Sequence, residues 1–311
     1  MVFAFLVISG CATSDGPDQG TVIPSEFEDD IVFVSPMLLD GRVLRFYTDS
    51  GGGFNAIKRS VALDIRAESV AADVETVDFP EFVDSASIPA NPVFRNGQLQ
   101  VVDEDMLGRD YDGFLGGRWF ANRVWEFDYS NERLTLYDEL PDDLTERMTR
   151  LPLGFQVDDN GIRTMHFPSM PISIDGEEVH VLFDTGARAT LTENSAGYFR
   201  RRIGESIGAS FMCEDVFDRW RAEHPEWPYI ESADSVRGSA FPMIQVPQVS
   251  IAGIASGPVW FVKRADPSFK EYMTQFMDRE ICGAIGGSGL QYYQFVIDYP
   301  AANLWLRPRS D

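Results

Sequence analysis

The chain repeats itself, and the repeat restricts the folds open to it. Residues 36–52 read Pro-Met-Leu-Leu-Asp-Gly-Arg-Val-Leu-Arg-Phe-Tyr-Thr-Asp-Ser-Gly-Gly. Residues 171–187 read Pro-Ile-Ser-Ile-Asp-Gly-Glu-Glu-Val-His-Val-Leu-Phe-Asp-Thr-Gly-Ala. Each block has Pro, Asp-Gly four residues on, and a second Asp thirteen residues after the Pro, and the blocks lie 135 residues apart without a gap. A second pair of blocks, Gly113–Gly117 and Gly283–Gly287, lies 170 apart, followed by Phe127-Asp128-Tyr129 and Ile297-Asp298-Tyr299. Leu134 and Leu136 match Leu304 and Leu306 at the same offset. The second copy is therefore 170 − 135 = 35 residues longer between its two blocks. Two multi-residue matches in one order point to a duplicated unit.

Each copy reads as strands joined by tight turns. Asp40-Gly41 separates Met37–Asp40 from Val43–Tyr47, and Asp175-Gly176 separates Ile172–Ile174 from Val179–Phe183; both are hairpin signals. Arg123–Phe127 with Arg133–Tyr137, and Gln294–Ile297 with Asn303–Leu306, predict two more hairpins. Asp128 and Asp298 read as turn residues of those hairpins. Short helices are expected at Ser60–Glu68 and Glu193–Ile203. The extra 35 residues are assigned to Ser210–Val236, where a helical pattern at Glu214–Glu223 runs into Pro225 and Pro228. Trp220, Trp227 and Tyr229 read there as a small satellite core. The fold class expected is all-β with minor helices, in two lobes: residues 31–145 and 146–311, divided near Pro141-Asp142-Asp143.

The matched aspartates carry the chemistry. Asp49-Ser50-Gly51 and Asp184-Thr185-Gly186 each follow an apolar strand. Glycine permits a sharp turn, and the hydroxyl can anchor the loop. A pseudo-twofold relation then sets the two carboxyls face to face, where they cannot both ionise easily and share a proton. This pattern, with Phe114-Leu115-Gly116 and Ala284-Ile285-Gly286 in order, resembles the pepsin-like and retropepsin-like aspartic proteases over residues 31–307. The resemblance implies a two-lobed aspartic protease fold of duplicated closed β lobes with one catalytic Asp per lobe, Asp49 and Asp184. Ser50 and Thr185 would interlock the loops, and Gly51 and Gly186 would form the turns. It implies peptide-bond hydrolysis by an activated water with no metal and no organic cofactor. The substrate would be an extended peptide or unfolded protein, and the chain a monomer. The alternative is a non-catalytic peptide- or protein-binding lipoprotein that keeps the fold. Departures include the Gly52-Gly53 pair after the first motif and the lack of a clear flap aromatic. The flap is expected at Val93–Val101, around Asn96-Gly97, or within Val74–Phe82.

Other chemistries are poorly supported. His166, His180 and His224 fall in no metal-binding spacing, and no phosphate-binding loop or Gly-x-Ser-x-Gly elbow occurs. His180 reads as a structural strand residue. The net charge is 26 − 49 = −23, which argues against a nucleic-acid partner. At the start, an apolar run over residues 2–8 leads into Ile8-Ser9-Gly10-Cys11, which resembles the end of a bacterial lipoprotein signal, although no basic residue precedes it. Residues 1–11 then form the signal with Cys11 lipidated, and 12–30 a polar tether. Ala12 after that cysteine favours the outer over the inner membrane, so the expected place is the bacterial cell envelope, facing the periplasm, with membrane contact only through the lipid. Cys213 and Cys282 would form a disulfide across 69 residues, worth ~4 kcal/mol in the chain-entropy account, or remain two buried thiols.

Overall fold

A computed structural model describes residues 20–65, 75–84, 98–108 and 110–310. The leader with Cys11, and most of the segments considered for a flap, lie outside these residues. Of the latter, Thr76–Val77 and Leu99–Val102 are neighbouring strands, and Phe82 is buried against the core. Among the described residues no helix is long and apolar enough to cross a membrane.

The architecture is β, with the two repeats related by a pseudo-twofold axis. A six-stranded sheet joins them. At its centre Val124–Asp128 pairs antiparallel with Tyr293–Asp298, Glu126 opposite Val296. Those two residues are 170 apart, so each repeat pairs with the other at equivalent positions and the axis passes between them. Outward follow the hairpin partners Arg133–Tyr137 and Asn303–Pro308, then the edge strands Thr21–Ile23 and Thr149–Pro152. Phe127 and Phe295 stack at 4.8 Å across the centre, fully buried. The turn aspartates behave as expected: Asp128 accepts from the Ser130 and Asn131 amides at 3.1 Å, and Asp298 from Ala301 at 2.9 Å.

Three expectations are corrected. The tether does not extend to residue 30, because Thr21–Ile23 is an edge strand and Ser25–Glu28 pairs with Ile31–Val34. These strands face solvent on one side, with only Ile23 buried in the first, so their composition reads as polar linker. The Asp40-Gly41 turn forms, with Gly41 at φ +87°, but its arms meet only at the Met37–Val43 bridge. Strand Phe46–Asp49 pairs instead with Ile31–Val34, whereas the second copy keeps the full hairpin of Ser169–Ile174 with Glu177–Phe183. The extra 35 residues are also divided differently. Ala56 pairs with Phe114 as Phe211 pairs with Ala284, so those strands are 211 − 56 = 155 apart. Hence 155 − 135 = 20 extra residues precede Ser210–Cys213, holding Arg188–Thr190, the helix Glu193–Phe199 and Ser206–Gly208. The remaining 170 − 155 = 15 come after it. Helix Glu214–Glu223 is no insertion: it follows its strand just as Arg59–Ile65 follows Asn55–Lys58, again 155 apart. Trp220 and Trp227 accordingly lie in the main core rather than in a satellite.

Cys213 and Cys282 end and precede adjacent strands, and they are joined as a disulfide with Cα atoms 5.1 Å apart. Each lobe also reaches into the other. The turn at Asp29-Asp30 docks on the second lobe, where Gly208 donates its amide to the Asp29 carbonyl at 2.7 Å and the Gln291 amide donates to Asp30 at 2.7 Å. The equivalent segment near His166 packs on Gly117 of the first lobe.

Burial, and then the neighbouring Asp29 charge, push the Asp30 carboxyl from 3.8 up to about 7. The folded chain therefore keeps this proton where the unfolded chain has released it. The unfolded state binds fewer protons between about pH 4 and 7, so stability falls as pH rises across that window. Asp30→Asn should remove this slope and stabilise the fold above neutral pH by of order a few kcal/mol. Urea unfolding at several pH values measures it; parallel curves for both proteins would refute it.

Candidate functional site

Both aspartates sit at the end of a strand that runs parallel to a glycine-ended strand, which a third strand flanks on its far side. Phe46–Asp49 runs parallel to Gly113–Gly116, with Asp49 beside Gly116, and Asn55–Lys58 returns antiparallel on the far side. In the second lobe Glu177–Phe183 lies parallel to Gly283–Ile285, and Ser210–Cys213 completes the set. The glycine amides that close these arrangements find equivalent acceptors: Gly116 donates to Asn55 Oδ1 at 2.9 Å and Gly286 to Ser210 Oγ at 3.1 Å. Asn55 and Ser210 lie 155 apart, as their strands require, yet they differ in residue type, so no motif search pairs them.

The two loops are tied across the axis by their hydroxyl residues. Ser50 Oγ donates to the Phe183 carbonyl at 2.9 Å and accepts from the Thr185 amide at 3.0 Å. The Ser50 amide donates to Thr185 Oγ1 at 3.1 Å. Both residues are about 1% exposed, so each bond is made without competition from water. The glycines that follow are needed for close approach. A Cβ on Gly51 would lie 2.7 Å from Asp184 Cγ, and one on Gly186 2.5 Å from Asp49 Cγ. Each loop thus presents bare backbone to the other lobe's carboxyl. Gly52 has the same role: its amide donates to the Asp49 carbonyl at 3.0 Å, its carbonyl accepts from Gly117 at 2.8 Å, and a side chain there would strike Phe114.

The structure brings Asp49 and Asp184 close enough for each carboxyl to shift the titration of the other. Asp184 is 9% exposed, and its Oδ1 accepts from the Gly186 amide at 3.0 Å. Asp49 Oδ1 is buried with no partner among the described residues. Burial raises both carboxyls above the ordinary range. Asp184 is raised further by the Asp49 charge, while its own carboxyl, backbone amides and the Arg188 charge hold Asp49 lower. Two carboxyls raised in this way share a proton, and the pair titrates as a unit.

Several neighbours were not singled out in the sequence. Tyr47 stands two residues before Asp49 on the same strand face, and its hydroxyl donates to the Gly186 carbonyl. Tyr111 stacks on Tyr47 at 5.2 Å, and Arg188 donates to the Tyr111 hydroxyl at 2.8 Å. The alternation Arg45, Tyr47, Asp49 was the available signal for Tyr47; Tyr111 and Arg188 come from distant segments. A cavity of about 1230 Å³ opens beside these residues, lined from both lobes. On the other side, a pocket of about 300 Å³ is lined by Gly52, Gly117, Arg118, Arg163 and His166. Burial and the Arg163 and Arg118 charges lower His166 to about 4, so it is neutral near pH 7. His180 and His224 lie elsewhere, beside Glu178 and Asp175 respectively. Of the cysteines expected to have roles, Cys11 lies outside the described residues.

No protein-family model matches the sequence, and no curated protein matches it by sequence. Solved structures do match. The aspartic proteinase from Irpex lacteus is similar over 94% of this chain and 98% of its own, with TM-score 0.50 and 11% identity. A retropepsin-like aspartic protease from Rickettsia conorii matches over 51% of this chain and 91% of its own (TM-score 0.31, 13% identity). Conglutin gamma from lupine seeds matches over 92% and 94% (TM-score 0.45, 10% identity). The first match, with the topology above, shows that the chain has the two-lobed aspartic protease fold.

Ser50→Ala and Thr185→Ala should each destabilise the protein by about 1–3 kcal/mol, since each strands buried backbone groups. The double variant should cost less than the sum, because the bonds form one network. Denaturant unfolding of the four proteins tests this; full additivity would mean that the loops are not coupled.

Proposed function

We propose that the protein is an aspartic endopeptidase with Asp49 and Asp184 as its dyad. The observation that carries the reading is the buried contact between two carboxyls, one from each lobe, held by the crossed Ser50 and Thr185 bonds. Asp49 Oδ1, which no donor among the described residues serves, is assigned as the base and Asp184 as the acid. A water between them attacks the scissile carbonyl carbon as its proton passes to Asp49 and the Asp184 proton passes to the carbonyl oxygen. The resulting diol collapses: Asp49 protonates the amide nitrogen as the C–N bond breaks, and Asp184 recovers a proton from the diol. Two peptides leave and the dyad returns to its starting state. The substrate is an extended peptide or unfolded protein lying between the lobes, and one chain suffices because both halves of the site belong to it.

The sign of the pH dependence follows from the shared proton. Activity needs one proton on the pair, so it falls at high pH as that proton leaves and at low pH as a second one binds. The raised carboxyls move the alkaline limb upward from where two free carboxyls would place it. Asp49→Asn and Asp184→Asn should each reduce cleavage of an unstructured protein by at least about 10³-fold. Cleavage that survives in either variant would remove that residue from the dyad. Inertness of the native protein at every pH, with peptide binding retained, would favour the non-catalytic binding protein.

We further propose that Cys11 carries lipid and holds the protein on the periplasmic side of a bacterial outer membrane, as the Ile8–Cys11 sequence suggests. Labelled palmitate should enter the native protein, and Cys11→Ala should leave it unlabelled and in the soluble fraction. Equal labelling of both would refute the anchor.

A further inference from the structure

The large cavity lined by Tyr111 and Arg188 contains an unusual cation. Five arginines line it, in a chain whose net charge is −23. Three are neutralised locally: Arg45 by Glu26 and Glu28, Arg201 by Asp29, and Arg202 by Glu205. Arg200 is exposed, where water solvates it. Arg188 is different. It is half-buried, and no carboxylate among the described residues lies within ion-pair distance of it. Its neighbours are aromatic: the guanidinium carbon lies 4.7 Å from the Tyr47 ring centre and 5.2 Å from that of Tyr111, and one nitrogen donates to the Tyr111 hydroxyl. Ring faces attract a cation but accept few of its protons. A guanidinium has five N–H donors, and the bond to Tyr111 uses one of them. Its charge and that of Asp49 act on each other, but among the described residues no carboxylate is close enough to take up the remaining donors.

We propose that Arg188 selects substrates carrying an acidic side chain close to the scissile bond, the carboxylate docking on the guanidinium in the cavity. Planar, forked donors suit a carboxylate, and the two tyrosines fix the plane of the fork. Position follows from the strand. Tyr47 lies two residues before Asp49, about 7 Å along an extended chain, and Arg188 covers the Tyr47 ring. The Arg188 charge also acts on Asp49, so a carboxylate held there lies near the bond cleaved. Net charge alone gives the opposite expectation, because a chain at −23 attracts basic peptides. This inference rests on the endopeptidase reading for the position of the scissile bond, but the binding preference does not require catalysis.

The test uses the full chain with Asp49→Asn, which binds without turnover. Fluorescein-labelled octapeptides, capped at both ends, carry Glu, Gln or Lys at each position in turn, and fluorescence anisotropy gives their affinities. At one position Glu should bind at least about tenfold more tightly than Gln. Arg188→Met should erase that ratio, Arg188→Lys should keep part of it, and Arg188→Glu should reverse it in favour of Lys. Thermal unfolding of each variant shows that it is folded. Equal binding of Glu and Gln peptides at every position overturns the proposal, as does a ratio that persists in folded Arg188→Met. A preference that appears only with an uncapped C-terminus overturns it too, since the ligand is then a chain end. No measurable binding of any peptide also counts against it. Selective binding by the Asp49→Asn protein, with no cleavage by the native one, would refute the endopeptidase reading and leave the Arg188 inference standing.

Discussion

The central constraint on this molecule is the placement of two carboxyls against each other in a buried site. Like charges at that distance repel, and burial removes the water that would screen them. The structure meets the problem in two ways. One proton is retained between Asp49 and Asp184, with burial raising both groups. The approach itself is enforced by the crossed bonds of Ser50 and Thr185, which are made where water does not compete. Glycine at 51, 52 and 186 then follows as a steric requirement, since a side chain at any of them would strike a carboxyl or Phe114.

The rest of the fold supports that contact. Each aspartate stands at the end of a strand clamped between two others, so its loop has little freedom. The six-stranded sheet holds the lobes in register by pairing equivalent positions of the two repeats at its centre. The reciprocal docking of Asp30 and the His166 segment on opposite lobes adds contacts on either side of the axis. Symmetry stops at the cavities. One side presents Arg118, Arg163 and a neutral His166, the other Arg188 over two tyrosines. The twenty residues added before Ser210–Cys213 create this difference, because they contribute the strand that carries Arg188.

Much of this was legible in the sequence where a motif is local and repeated. Asp-Ser/Thr-Gly, the glycine pairs and the Asp128 and Asp298 turns all keep their type in both copies, and local hydrogen bonding or sterics explains each. What could not be read were pairings that change residue type. Asn55 and Ser210 serve the same amide in the two lobes, but an amide and a hydroxyl share no pattern. The edge strand Thr21–Ile23 looked like linker because a half-exposed strand of three residues has too few buried positions to show alternation. Helix Glu214–Glu223 looked like an insertion because its first-lobe equivalent, which includes Arg59–Ile65, is unlike it in sequence.

By itself the sequence determined that the chain is a duplicated β unit with one Asp-hydroxyl-Gly turn in each copy, because strand alternation and turn chemistry act over a few residues. Only the tertiary structure decided that the two turns meet, that Ser50 and Thr185 bond across the axis, and that Arg188 lies over Tyr47 and Tyr111. Those contacts join residues 77 to 141 positions apart. Their existence depends on how two lobes pack, and on the free energy of burying charge between them, neither of which is encoded in any local window of the chain.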